Sequence, residues 1–182
     1  MKPALMMRRL LALLVVLVAA PSTDGTDLSP WGRHERHHGD WITVEFRDPL
    51  SGLFLAARAG TEDPPNKATL TFTMAPARDC VADLAIIVKT DAPASEDSEN
   101  SAAIAARIDD SEPRRYEALI VRQRNDPFMF VQLLDEPRPD RLTRHKTLTV
   151  ALPDGRWIGF SLKGFDSAWQ AIDKLCRSFM AP

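Results

Sequence analysis

Short apolar–polar alternations at regular spacing, turn residues between them, and one helical pattern confined to the C-terminus predict a mainly β protein. The expected architecture is an antiparallel β-sandwich or strongly bent sheet with a C-terminal α-helix packed on it.

The elements follow in order. Ile42, Val44 and Phe46 alternate with Thr43, Glu45 and Arg47, giving a first strand. Asp48-Pro49-Leu50-Ser51-Gly52 turns the chain into a second strand over 53–59. Pro64-Pro65-Asn66 turns it again, and Leu70, Phe72 and Met74 alternate with threonines in a third. Leu84, Ile86 and Val88 mark a fourth, just after Cys80. The acidic, serine-rich run from Asp91 to Ser101 has no large apolar group and reads as a solvated loop. Strands follow over 104–108, 116–121 and 128–133, the last two joined through Arg124-Asn125-Asp126-Pro127. A short helix is expected after Pro139, then a strand through Leu148, Val150 and Leu152, turned by Pro153-Asp154-Gly155.

The closing stretch, Trp157 to Cys176, holds a strand, a glycine turn and a helix. Ile158, Phe160 and Leu162 alternate with Trp157, Gly159, Ser161 and Lys163. Gly164 breaks the strand, and Asp166 or Ser167 is expected to cap the helix, with Ser167 and Gln170 in capping-box spacing. Phe165, Trp169, Ile172 and Cys176 recur at helical spacing, so Cys176 should point inward with the apolar stripe.

The N-terminus predicts export. Lys2, Arg8 and Arg9 precede an apolar run from Leu10 to Ala20, too short to span a bilayer comfortably. The expected division is a signal peptide over 1–22, a flexible His-rich leader over 23–39, and one β-rich domain over 40–182. Periplasmic or secreted localisation follows, with no stable membrane insertion after cleavage. Removing 1–22 leaves 20 basic against 25 acidic residues, a net charge of −5, with no Lys/Arg cluster standing out from acidic neighbours. Nucleic acid is therefore not an expected partner. In an oxidising compartment the two cysteines, Cys80 and Cys176, should form one disulfide.

One motif carries potential chemistry. His34-Glu35-Arg36-His37-His38 matches H-E-x-x-H, in which two histidines one helical turn apart bind zinc and the glutamate activates water. Gly32 and Gly39 bracket it, no apolar positions back such a helix, and no third ligand is evident. The alternatives are thus a zinc-dependent hydrolase using His34, Glu35 and His38, or a periplasmic metal-binding or inhibitor protein. In the second, His34, His37 and His38 are the candidate ligands for Zn, Cu or Ni taken up adventitiously. No resident cofactor is expected. Trp41, Tyr116 and Trp157 are expected to pack against the sheet.

Gly39-Asp40-Trp41 at the start of the folded region, and Phe160-Ser161-Leu162-Lys163-Gly164-Phe165 with Ala168 at its end, resemble the invasion-associated locus B family of small exported proteins. The terminal cysteine helix also resembles VasI-like proteins associated with type VI secretion. The first resemblance implies a periplasmic or secreted β-rich domain tied to envelope or host-contact biology, with no established catalytic residues. Together with the export signal, the expected disulfide and the missing catalytic constellation, it gives the first reading: a non-enzymatic domain acting through protein contact in envelope or host-interaction biology. The chain departs from that family where cysteines usually follow the G-D-W, since Glu45 and Phe46 stand there.

Overall fold

The structure, a computed structural model, describes residues 32–134 and 139–180. The expected signal peptide and residues 23–31 of the leader lie outside the described residues.

Ten strands form a single antiparallel sheet. They are β1 (Gly32–His38), β2 (Trp41–Arg47), β3 (Phe54–Asp63), β4 (Ala68–Met74) and β5 (Asp83–Lys89). Then come β6 (Ser98–Ile108), β7 (Arg114–Arg122), β8 (Phe128–Leu133), β9 (Thr147–Ala151) and β10 (Trp157–Ser161). Among the described residues two α-helices accompany the sheet, the single turn α1 (Pro139–Leu142) and the closing α2 (Phe165–Ser178), with short 3-10 turns at Pro64–Asn66 and Pro76–Arg78. The spatial order is β1-β2-β3-β4-β5-β8-β7-β6-β9-β10.

The sheet is bent until it meets itself. In a flat sheet the seven spacings between β3 and β10 would hold them roughly 34 Å apart, yet Cα atoms of the two strands come within 8 Å of each other. A strongly bent sheet with a helix packed on it is therefore the observed fold. One continuous core joins the two halves: Leu70, Phe72 and Leu84 from one side, Leu148, Val150 and Phe160 from the other, all but fully buried.

Helix α2 lies across β1 to β4. It buries Phe165, Ala168, Ile172 and Cys176, at the spacing expected for an apolar stripe. Phe165 stacks at an angle on Trp41 (4.8 Å between ring centres) and on Phe72 (5.1 Å), and Trp169 meets Phe72 edge-on at 5.8 Å. Cys176 is bonded to Cys80 (S–S 2.02 Å) across 96 residues. Cys80 lies in the loop between β4 and β5, so the tether pins α2 to a loop rather than to a strand.

Several local expectations are corrected. The helix cap is Gly164, at φ +91°, with no side-chain cap. Ser167 lies inside the first turn and Gln170 donates to Asp166 instead, 3.0 Å. The glycine wins because a side chain here would collide with the His38 carbonyl.

Segment 32–38, expected as part of a mobile leader, is strand β1. Its side chains are polar, but strand pairing uses the backbone, and β2 offers a free edge. Likewise β6 begins at Ser98 inside the expected loop, pairing Ser98–Ser101 with Arg122–Leu119 of β7. There the partner strand, not apolar character, orders the segment.

Strand β2 turns its apolar face outward. Thr43 pairs with Ala59, and Glu45 with Ala57, both core alanines, so Trp41, Thr43 and Glu45 face inward. Val44 and Phe46 form a small outer cluster with Ala56 and Ala75, and the Arg58 guanidinium covers the Phe46 ring at 5.1 Å. Of the three aromatics expected to pack on the sheet, Trp41 is fully buried and Tyr116 partly so. Trp157 is 45% exposed beneath the Arg107 guanidinium.

Candidate functional site

Candidate chemistry lies in two places, the histidine segment of β1 and a larger cleft on the sheet. Strand β1 is bulged between Arg33 and Arg36, with His34 at φ +55°. A strand advances about 3.3 Å per residue, so His34 and His38 are not one helical turn apart and the two-imidazole zinc geometry of H-E-x-x-H is not set up. His37 Nε2 lies 3.4 Å from Glu35, on the exposed edge. His38 is engaged through both ring nitrogens, Nδ1 with Ser167 Oγ (2.9 Å) and Nε2 with Thr43 Oγ1 (3.1 Å). It links the edge hairpin to α2. Among the described residues, no group of three His, Cys, Asp or Glu side chains is gathered as a metal site.

The larger feature is a cleft of about 640 Å³ where the turn between β6 and β7 meets the connection from α1 to β9. Its volume falls within the range of ligand sites, about 300–1,000 Å³. Its apolar floor is Ala106, Ile108 and Leu148, with Tyr116 beside them. Arg114, Arg141 and Arg144 line the rim, all exposed, and none makes an ion pair with a described residue. Glu112 and Asp140 also line it.

One wall is held by Asp109. Its Oδ2 accepts from His145 Nδ1 at 2.8 Å, and its Oδ1 accepts from the backbone N–H groups of Lys146 and Thr147, each at 2.9 Å. The His145 bond, followed by the two backbone donors, holds the Asp109 carboxyl down at about 2. With Nδ1 engaged, Nε2 is the polar atom His145 retains for the cleft. Ser111, the hydroxyl on the same wall, accepts from the Ile108 N–H at 3.2 Å and is not bonded to His145. A nucleophile activated by its neighbouring base needs that missing bond. The Asp109–His145 pair shapes the wall.

The sequence held little sign of this cleft. Arg114 stands 27 residues before Arg141, and only the pairing of β6 with both β7 and β9 brings the two segments together. The expected disulfide, by contrast, needed only a count of cysteines and is present.

A single antiparallel sheet folded on itself, with its closing helix tethered by a disulfide, defines a small β-rich domain built around a docked terminal helix. Among solved structures, the chain is similar to the crystal structure of invasion associated protein b from Bartonella henselae, with a TM-score of 0.54 and 15% sequence identity over 80% of this chain and 99% of that one. At that identity the likeness is one of fold. No family model matches the chain, and no curated protein does.

Proposed function

We propose that this is a non-enzymatic exported domain that acts by binding a protein partner, in the envelope or at the contact with a host. The observation that carries the reading is the fold shared with a protein named for invasion. The disulfide fits an oxidising compartment, where such bonds persist. The cleft supplies a contact surface whose arginines make no ion pair with another described residue. Its one histidine–carboxylate pair is occupied in holding backbone rather than poising a nucleophile.

The test is fractionation of cells producing the full chain, with thiol labelling, followed by capture on the immobilised mature protein. The expected result is an oxidised chain in the periplasm or medium that retains a defined envelope or secreted protein. A reduced chain confined to the cytoplasm, or capture of nothing above background, would overturn the proposal.

A further inference from the structure

We infer that the cleft between the β6–β7 turn and the α1–β9 connection is the contact site, and that it takes an acidic, partly apolar peptide segment of the partner. The inference rests on the protein-contact reading above and names the chemistry of that partner.

Three features select this ligand. Arg114, Arg141 and Arg144 present guanidinium groups with no ion-pair partner among the described residues. Guanidinium forks match carboxylates in two-point hydrogen bonding. Beneath them, Ala106, Ile108 and Leu148 offer an apolar floor that a hydrated inorganic anion has no means of using, while a peptide side chain would bury area there.

Glu112 and Asp140 share the rim. Their charges repel a uniform polyanion and restrict binding to ligands whose carboxylates fall beside the arginines, which is how repulsive elements sharpen specificity. His145 adds a fixed contact, since Asp109 sets its ring through Nδ1 and leaves Nε2 for the ligand. The feature is local: the chain as a whole carries a net charge of −2, so long-range attraction of acidic ligands is not what brings the segment in.

The experiment uses the oxidised full chain and a fluorescein-labelled peptide alternating Glu with Leu, read by anisotropy. A peptide with Lys in place of Glu is the control, and inorganic phosphate is the competitor. The double variant Arg141→Glu/Arg144→Glu reverses two exposed charges, and Arg144→Gln is the milder one. Both are checked for an intact disulfide and an unchanged circular dichroism spectrum. The Glu peptide should bind saturably and the Lys peptide should not. Losing two carboxylate contacts should weaken binding by at least about tenfold in the double variant, with a smaller loss in Arg144→Gln.

Equal affinity for native and charge-reversed chains would overturn the inference, as would equal binding of the two peptides. Full displacement by phosphate would reassign the cleft to small anions. Capture from envelope extract separates this inference from the reading beneath it. A partner retained equally by the native and charge-reversed chains leaves protein contact standing and removes the cleft from it; no retention by the native chain removes protein contact itself.

Discussion

Asp40 accepts a hydrogen bond of 2.6 Å from the Ser161 hydroxyl, across 121 residues of chain. The contact is one of a set. The Asp40 N–H donates to the Lys163 carbonyl at 3.0 Å, and the Trp41 indole N–H donates to the Ser161 carbonyl at 2.9 Å. Gly39 and Gly164 approach backbone to backbone beside them. The Gly-Asp-Trp at one end of the domain and the Ser-Leu-Lys-Gly-Phe at the other are therefore two halves of a single clasp, closing the bent sheet where β2 meets β10.

Gly164→Ala tests the clasp. A left-handed φ costs an L-residue about 1–2 kcal/mol, and a Cβ here would overlap the His38 carbonyl. The expected loss is about 3 kcal/mol of stability, read as a lower urea midpoint. Gly159→Ala, with open space around its Cβ position and no positive φ, should change little. Equal midpoints for the two variants would refute the close approach.

The disulfide closes a separation of 96 residues. Restricting the unfolded chain over that length is worth about 4–5 kcal/mol on chain-entropy grounds. Cys80→Ala/Cys176→Ala should lose stability of that order in urea unfolding. A loss below about 1 kcal/mol would mean that the aromatic packing of α2 holds the helix without the tether.

Asp109 predicts an acid-side effect with a definite sign. Its folded-state pKa lies at about 2, below the ordinary 3.8, because His145 and two backbone donors favour the charged form. Its contribution to stability is therefore present above about 3.8 and is lost as the pH falls towards 2. Proton titration of the carboxyl by NMR should give a midpoint near 2, and Asp109→Asn should abolish that part of the pH dependence. A midpoint near 3.8 would show that the wall of the cleft is not held as described.

His38 separates a structural role from a metal-binding one. Both its ring nitrogens are hydrogen-bonded, to Ser167 and Thr43. His38→Ala should cost about 1–2 kcal/mol of stability. Calorimetry with Zn, Cu or Ni should give the same binding to the variant as to the native chain. A stoichiometric site lost with His38 would require β1 to rearrange, and would restore the metal-binding alternative.

How much of this was legible beforehand varies by element. The period-two strands through Leu70–Met74, Leu148–Leu152 and Ile158–Leu162 were readable because each buries one face, and burial imposes alternation on the residues themselves. Helix α2 was readable for the same reason at a different period. β1 and the start of β6 were not, because an exposed strand is specified by its neighbour's backbone and leaves no apolar signature. β2 showed the right period on the opposite face. Its outward apolar residues are covered by Arg58, a long side chain from β3 that local sequence does not place there.

What the chain's own residues determined was local or countable: strand periodicity, the amphipathic closing helix, and a single possible cysteine pair. What only the tertiary structure decided was long-range: the bend that brings β10 onto β3, the clasp between Asp40 and Ser161, and the gathering of Arg114, Arg141 and Arg144 around one cleft. The physical reason is that periodicity records which side of an element is buried, whereas the meeting of distant segments depends on strand order and sheet curvature, which no short stretch of sequence encodes.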